Sequence, residues 1–155
     1  MKLVLLVIAL FFSACSIKNY EQTHSKIIII KSPQLKFADL GYVRNSGNSV
    51  EIELFTAGKS VKKIQINHLV CVDEGCISKK TFNKNYLNKY YPEDLLQNIL
   101  LGHAIYHVEN RIQIENGFEQ KIVNEHVNIM YKVTDEIIFF KDKQNSIIIK
   151  IKDMK

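Results

Sequence analysis

The dipeptide Asn116-Gly117 joins two segments in which apolar and polar residues alternate, RIQI before it and FEQKIV after it. An Asn-Gly pair in this setting predicts a β-hairpin, because both residues tolerate the positive φ of a tight turn. Similar segments follow as VNIMYKV, EIIFFKD and SIIIKIK, and others precede as NSVEIELF and VKKIQINHLVC, while the wholly apolar run KIIIIK is consistent with a buried first strand. Turns between them are expected at Ala57-Gly58 and at residues 143–145. Most of the chain is therefore predicted to form antiparallel strands with one buried face.

Helical periodicity occurs once, in the middle of the chain. In YPEDLLQNILLG, Pro92 stands at a position typical of a first helical residue, Glu93 and Asp94 are acidic residues of the first turn, and Gly102 is at the expected end. One or two short helices are predicted, the earlier one around residues 83–90. The apolar residues on one side of the later helix are Leu95, Leu96, Ile99 and Leu100. The expected fold class is α+β, a curled, half-barrel-like antiparallel sheet packed on these central helices.

The first residues have the organisation of a secretion signal. Lys2 precedes an apolar run over residues 3–12, which is too short for the ~20 residues that a membrane-spanning helix needs. A serine and an alanine follow this run and stand directly before Cys15. A basic residue, an apolar run and a small-residue cleavage site together predict a signal peptide over residues 1–14.

The sequence FSAC that ends at Cys15 resembles the lipobox of bacterial lipoproteins. In that class the cysteine sulfur receives a diacylglyceryl group, the preceding peptide bond is cut and the new amino terminus is usually acylated. Several acyl chains, such as palmitate, then hold the protein on a membrane. Because Ser16 is not the aspartate that retains many such proteins in the inner membrane, the resemblance implies the periplasmic side of the outer membrane. The alternative is an ordinary secretion signal followed by a coincidental cysteine.

Length indicates one domain behind this N-terminal segment. Removing residues 1–14 leaves a chain long enough for a single core. The polar stretch that follows Cys15 lacks periodicity, which is typical of a tether between membrane and domain. We therefore expect a lipidated tether over residues 15–25 and one antiparallel sheet-plus-helix domain over residues 26–155.

The basic charge of the chain is spread out. The formal net charge is +5, and it becomes +4 when Lys2 is removed with the signal. The lysine-rich stretches KSVKK, SKK and KIKDMK are interrupted or flanked by apolar residues and carry no interleaved aromatic residues. This pattern argues against a nucleic-acid partner. Two interpretations stay open, a solvated basic surface and a surface attracted to anionic lipid headgroups.

Cys71 and Cys76 lie in the stretch CVDEGC. Export places both in an oxidising compartment, where disulfides persist, and Gly75 supplies the backbone freedom that a tight closure needs. A structural disulfide is therefore predicted, contributing roughly 2 kcal/mol for so small a loop. The alternatives are a redox pair, which more usually has two residues between the cysteines, and a zinc site, which needs two more ligands.

The histidines give little support for a metal site. His103 and His107 have the spacing that pairs two imidazoles on a helical face, but they follow Gly102 in a stretch predicted to be extended, where residues four apart are ~13 Å from each other. His68 and His126 lie in strand-like segments and are expected at the surface or at an edge. Motifs for a nucleophile or for a catalytic carboxylate pair are also lacking. We predict no metal, no cofactor and no enzymatic activity.

Taken together, these features resemble the LolA and LolB family of lipoprotein carriers. The resemblance rests on Cys15, on the proline-acidic-leucine pattern YPEDLLQNILLG and on the final strands through SIIIKIK. It implies a curled antiparallel sheet whose concave apolar side is covered by helices and accepts acyl chains or other lipoproteins. The residues expected to line or gate that cavity are Leu95, Leu96, Ile99 and Leu100.

The leading hypothesis from the sequence is a non-enzymatic, lipid-anchored envelope lipoprotein that binds acyl chains in an apolar concavity. Cys15 would hold it at the membrane, and a Cys71–Cys76 bridge would stiffen one rim of the concavity. The alternative is a structural or adhesin-type interaction module with the same anchor and a filled core. A carrier needs an apolar cavity of ~300–1,000 Å³, whereas a scaffold needs a close-packed interior.

Overall fold

The computed structural model describes residues 22–47, 49–73 and 75–154. The predicted signal peptide and Cys15 lie outside this part of the chain. The strands are β1 (Gln22–Lys31), β2 (Lys36–Ser46), β3 (Ser49–Thr56), β4 (Lys59–Ile66), β5 (Leu69–Val72), β6 (Gly75–Ser78), β7 (Arg111–Ile114), β8 (Gly117–Val123), β9 (Asn128–Thr134), β10 (Ile137–Asp142) and β11 (Ile147–Asp153). The helices between β6 and β7 are α1 (Lys79–Tyr86) and α2 (Leu95–Leu101). Because β1 begins at Gln22, residues 22–25 belong to a strand and not to the predicted tether.

The strands form one antiparallel sheet in the order β6-β5-β4-β3-β2-β1-β11-β10-β9-β8-β7. Each strand pairs with its neighbour in the chain, and the first and last strands meet in the middle, where Ile28 lies opposite Ile151. The helices are inserted at the point where the chain passes from one edge of the sheet to the other. An antiparallel sheet with two central short helices is the coarse architecture predicted from the sequence, and it is confirmed.

The period-2 alternation of the strands decides which face of the sheet is buried. In β1, Ile28 and Ile30 are buried, whereas Ile27 next to Ile28 is 39% exposed. Both helices cover this buried face, and α2 contacts both β3 and β10. The core beneath them is dominated by isoleucine and aromatic side chains, including Ile52, Ile64, Phe82, Leu95, Ile99, Tyr131, Phe140 and Ile149.

The long strand β2 was not predicted from the sequence. Its sequence KFADLGYVRNS lacks a clean alternation and contains Gly41, a residue that normally weakens a strand. The structure gives the reason for this glycine: a Cβ at position 41 would lie 2.6 Å from Ile28 Cδ1 and 2.8 Å from the Glu53 carbonyl oxygen. Gly41 therefore lets the strands and the core side chain approach closely at this point.

Both helices differ in detail from the prediction. Helix α1 begins after Ser78, whose hydroxyl accepts a hydrogen bond from the Thr81 N–H at 3.1 Å, a standard N-cap. Helix α2 begins at Leu95, three residues after the predicted start at Pro92, because Pro92 to Asp94 form a separate turn. The predicted end at Gly102 is confirmed, since this residue is the left-handed C-cap.

The segment after Gly102 is not extended, so the prediction for HAIYHVEN was wrong. Residues Tyr106–Val108 form a 3-10 turn with positive φ throughout. The buried Gln120 holds this unusual backbone, since its amide group bonds the Ile105 N–H at 2.8 Å, the Ile105 carbonyl at 2.9 Å and the Glu109 carbonyl at 2.7 Å. The Gln120 side chain therefore supplies hydrogen bonds to three backbone groups, which in a β-strand would come from a neighbouring strand.

Two strand boundaries also differ from the prediction. The segment VKKIQINHLVC is two strands, because the chain turns at Asn67 and the Asn67 side chain accepts a hydrogen bond from the Leu69 N–H at 3.1 Å. The hairpin at Asn116-Gly117 is confirmed, but its two turn residues are Glu115 and Asn116, and Gly117 already pairs with Ile114. The Ala57-Gly58 turn is where it was predicted.

Three tyrosines in or beside the core are expected to make the fold sensitive to alkaline pH. Burial raises the pKa of Tyr106 to about 12. Burial also raises the pKa of Tyr131 and the pKa of Tyr91, which in addition donates a hydrogen bond to Asp142. Since the phenol of an unfolded chain titrates near ~10, the neutral tyrosines stabilise the fold fully below that pH. This contribution is lost as the pH rises through the higher pKa values of the folded state.

We expect the free energy of unfolding to fall by up to ~4 kcal/mol per pH unit above pH ~10.5, because three protons are involved. Urea unfolding followed by circular dichroism at a series of alkaline pH values measures this slope. A Tyr131→Phe variant removes one titrating group, at the cost of the hydrogen bond to the His103 carbonyl, and should reduce the slope by about a third. A stability that does not change between about pH 9 and about pH 11.5 would contradict this account.

Candidate functional site

A cleft of about 180 Å³ lies on the helix-covered face of the sheet, beside the end of α2. Leu100 and Leu101 form the helical wall of this cleft. The opposite wall comes from four strands and consists of Lys26, Val43, Asn45, Ile138 and Ile151. The space is thus bordered by aliphatic side chains, with one ammonium group and one amide group among them.

A second cleft of about 210 Å³ adjoins the first. The two share Lys26, Leu101, Ile138 and Ile151 as lining residues. The second cleft also reaches Gly102 and the β9–β10 turn at residues 134–137. We refer to the two spaces together as the α2 cleft. Each part is smaller than the ~300–1,000 Å³ of a usual ligand pocket, and only their union reaches that range.

The end of α2 is fixed at the α2 cleft by a Schellman motif. The His103 N–H bonds the Asn98 carbonyl at 2.8 Å, and the Gly102 N–H bonds the Ile99 carbonyl at 3.1 Å. Gly102 has a φ of 68°, and a Cβ there would contact Ile138 and Val133 at 3.4 Å. The glycine thus ends the helix and brings its last leucines against the inner face of β10.

The α2 cleft also has polar lining residues, namely Lys26 and Asn45 in its first part and Thr134, Asp135, Glu136 and Asp153 in its second part. Lys26 forms an ion pair with Asp153 across the β1–β11 ladder. Asn45 lies opposite the buried Val50, and among the described residues no donor reaches its buried Oδ1 atom. A buried acceptor without a donor costs ~1–3 kcal/mol. Its lost hydrogen bond would be restored by a ligand that carries an N–H or O–H group.

The four residues that the sequence assigned to a cavity have different positions. Leu95, Leu96 and Ile99 are buried in the core cluster and border neither part of the α2 cleft. Leu100 is also buried but lines the first part. Leu101 lines both parts and was not singled out, although it is the next residue of the same leucine-rich run.

The strand residues of the cleft were missed by sequence reasoning for another reason. Val43 and Asn45 lie on β2, the strand that was not predicted, so neither could be assigned to a face. Ile138 and Ile151 lie on predicted strands, but their position opposite each other depends on the pairing register. The alternation in each strand indicates which of its residues face the core. It does not indicate which residue of the neighbouring strand lies opposite each of them.

The disulfide is distant along the sheet from the α2 cleft. Cys71 and Cys76 face each other across the β5–β6 hairpin, with their sulfurs 2.07 Å apart. They lie at the sheet edge formed by β6, whereas the cleft lies under the central strands. The bridge therefore staples an edge hairpin, and the β6 strand next to it was not predicted.

The histidines do not assemble a metal site in the described residues, where no group of three histidine, cysteine or carboxylate ligands occurs. His103 follows the α2 cap and His107 lies in the 3-10 turn with a φ of 54°. His126 stacks on Tyr90 with ring centroids 3.6 Å apart. His68 lies in the turn between β4 and β5.

Within the described residues, no helix is both long enough and apolar enough to span a membrane. Comparisons with protein-family models, with curated proteins and with solved structures return no match for this chain. The functional argument therefore rests on the fold and on the α2 cleft.

Proposed function

We propose that this protein is a lipid-anchored cell-envelope lipoprotein that binds an acyl chain in the α2 cleft, in the manner of the LolA and LolB carriers. The observation that carries the proposal is the first part of the α2 cleft, which is bordered mainly by aliphatic side chains and by Asn45, whose buried Oδ1 atom has no donor among the described residues. Aliphatic walls suit a hydrocarbon chain, and the Asn45 amide oxygen suits the amide N–H that joins such a chain to its headgroup. The role is binding and not catalysis.

Curvature of the sheet supports this proposal. Helix α2 contacts both β3 and β10, which are four strand spacings apart in the sheet. In a flat sheet these strands would be ~19 Å apart, whereas a helix with its side chains is only ~10–12 Å wide. A half-barrel that curls around α2 accounts for both contacts. A ligand would then enter the α2 cleft from the open end of this half-barrel.

Entry of an acyl chain would involve Leu101, because this side chain lines both parts of the cleft. Leu101 is only partly buried and is the last residue of α2, next to the left-handed Gly102. A rotation of its side chain would join the two parts without displacing Leu95 or Ile99 from the core. The chain would lie along Ile138 and Ile151, with its amide N–H donating to Asn45 Oδ1.

The proposed anchor is Cys15, whose sulfur and amino group would carry the acyl chains. Cys15 precedes Gln22, where β1 begins, by seven positions. Such a segment spans at most ~25 Å, so the domain would stay close to the bilayer surface. Attachment at the periplasmic face of the outer membrane would place the cleft near other lipoproteins and their acyl chains.

Native mass spectrometry and a fluorescent-lipid displacement assay test the proposal, with palmitate and a synthetic N-palmitoylated lipopeptide as probes. The protein is the mature chain, residues 15–155, carrying Cys15→Ser. We expect both probes to bind, and we expect Leu101→Glu to weaken both at least about tenfold, because it places a charge among the aliphatic side chains of the first part of the cleft. The control Leu40→Glu introduces the same charge on the opposite face, where Leu40 is 46% exposed, and should bind normally.

A second variant tests the amide contact. Asn45→Leu removes the acceptor, so the lipopeptide, whose amide supplies an N–H, should bind roughly fivefold more weakly. Palmitate has no such donor at neutral pH and should be unaffected. If neither probe binds, or if Leu101→Glu and Leu40→Glu behave alike, the carrier function is overturned.

An interaction module is the second candidate, and the strand β7 favours it. This strand is one edge of the open sheet, and its Ile112 is 66% exposed. An edge strand with an exposed apolar side chain can receive a strand from another protein. This candidate gains support if no lipid probe binds while an Ile112→Lys variant, compared with the wild type, loses a partner captured by cross-linking in the envelope.

A further inference from the structure

The face of the sheet opposite the helices carries a second feature. The pairing registers show which side chains of β1, of residues 36–40 of β2 and of β8 to β11 point away from the helices, and we call these the outward positions. Seven of these positions are lysines, and we call this surface the lysine face. Its lysines are Lys31, Lys36, Lys121, Lys132, Lys141, Lys150 and Lys152.

The lysines alternate with apolar residues across the strands. One row runs from Lys121 through Met130, Lys141 and Ile148 to Lys31. The next row places Lys132, Phe139, Lys150 and Ile29 side by side. The apolar members are partly accessible, with Met130 at 45% exposed and Ile27 at 39%. The surface therefore offers ammonium groups on flexible stems above a floor of apolar side chains.

Little of this positive charge is neutralised within the part of the chain that the structure describes. Glu119 is the single carboxylate among the outward positions of these strands, and it pairs with Lys132 at 2.8 Å. The remaining six lysines of the face form no ion pair with a described residue. Seven lysines and one glutamate give the lysine face a net charge of about +6.

The other half of the same outer surface is different. On β2 to β4, Arg44 lies 3.0 Å from Glu51 and 2.8 Å from Glu53, and Lys63 lies 3.1 Å from Glu51. Cations and carboxylates are balanced there, so this half has no comparable excess of charge. The excess of positive charge is thus confined to one half of the sheet. This half begins at the central strands β1 and β11, which lie next to the balanced half.

We propose that the lysine face docks on an anionic phospholipid bilayer. Anionic headgroups complement its charge, and each lysine near such a surface strengthens binding by about fivefold. The partly exposed apolar floor suits the boundary between headgroups and acyl chains. A nucleic acid fits less well, because Phe139 is the one aromatic residue among the described outward positions of the lysine face that could stack on a base.

The position of β1 in the chain is compatible with docking of the lysine face on a bilayer. Cys15 precedes the start of β1 by seven positions, and β1 contributes Lys31 to the lysine face and pairs with β11, which contributes Lys150 and Lys152. A lipid on Cys15 would therefore tether the chain beside the surface that we propose to lie on the bilayer. The lysine face and the α2 cleft are on opposite sides of the sheet, so docking would leave the cleft accessible.

Vesicle co-sedimentation tests the docking separately from the anchor and from acyl binding. The mature chain, residues 15–155 with Cys15→Ser, is mixed with vesicles of phosphatidylcholine alone or with about a third of phosphatidylglycerol, at low and at physiological salt. We expect binding only to the anionic vesicles, with a marked loss at the higher salt. The triple variant Lys31→Gln, Lys141→Gln and Lys150→Gln should bind on the order of 100-fold more weakly.

A matched triple variant controls for net charge. Lys59, Lys80 and Lys84 lie outside the lysine face, on β4 and α1. Changing these three to glutamine removes the same charge and should leave vesicle binding within about threefold of the wild type. The proposal is overturned if both triple variants bind equally well or equally badly. It is also overturned if the protein binds an oligonucleotide through the lysine face but ignores anionic vesicles.

Discussion

Replacing Asp142 with alanine is expected to lower the free energy of unfolding by roughly 4 kcal/mol, because it removes a fully buried carboxylate that accepts hydrogen bonds from five donors. Its Oδ1 accepts hydrogen bonds from the backbone N–H groups of Asn128, Gln144 and Asn145 at 3.0–3.3 Å. Its Oδ2 accepts one from the Tyr91 hydroxyl at 2.7 Å and one from the Asn145 amide at 2.6 Å. Alanine would leave these donors unsatisfied in the interior.

The location of Asp142 increases the expected effect. It ends β10 and begins the turn to β11, so its contacts hold the β10–β11 hairpin to the start of β9. Through Tyr91 it also ties this hairpin to the segment that leads into α2. Loss of the carboxylate would therefore loosen the sheet and the helix layer together.

Urea unfolding of three variants measures this contribution. Asp142→Asn keeps an oxygen for the backbone donors and should cost about half as much as Asp142→Ala. Tyr91→Phe removes one donor and leaves the other four, so a loss of ~1–2 kcal/mol is expected. If Asp142→Ala were no more damaging than Tyr91→Phe, the carboxylate would not be the centre of the network.

Sequence reasoning recovered the elements whose signals are local. Positive φ occurs at Ala57 and Gly58 in the first turn, at Gly117 beside the Asn116 hairpin and at Gly102 at the helix end, and the sequence signals this because glycine tolerates such a backbone. Strands with clean alternation, such as β3 and β11, were also recovered. These features depend on a few neighbouring residues, which is why the sequence alone predicts them.

Features that depend on distant residues were missed. Strand β2 lacks alternation, and its Gly41 is explained only by the close approach of Ile28 and Glu53 on its two neighbouring strands. The turn at residues 106–108 was predicted to be extended, and it exists because Gln120 on β8 satisfies its backbone. In both cases the local sequence is shaped by a partner on another strand.

The candidate site shows the same division. Helical spacing indicated that Leu95, Leu96, Ile99 and Leu100 face the sheet, and all four are buried against it. Spacing cannot tell a filled core from a cleft, because that depends on how closely the opposing strands approach. The helix is tightly packed at its start and leaves space at its end, where Leu100 and Leu101 meet Ile138 and Ile151.

Replacing Gly117 with alanine is the second change for which we expect a large loss of stability. Gly117 is the first residue of β8 and has a φ of 149°, a conformation that residues with a Cβ rarely adopt. A Cβ at this position would lie 1.9 Å from the Val133 carbonyl oxygen and 2.9 Å from its carbonyl carbon. These are backbone atoms, so no side-chain rotation can relieve the overlap, and the β8–β9 ladder would have to separate at this end.

We expect Gly117→Ala to lower the free energy of unfolding by at least ~3 kcal/mol, as is typical when a strained backbone site also lacks space. The matched control is Gly47→Ala, because Gly47 also has a positive φ, of 53°, but no heavy atom lies within 4 Å of the position that a Cβ would occupy there. That control measures the cost of an alanine in a left-handed conformation with open space around it, about 1 kcal/mol. Equal losses for the two variants in urea unfolding would show that crowding at Val133 is unimportant. A larger loss for Gly117→Ala should be accompanied by weaker lipid binding, since Val133 also borders the α2 cleft.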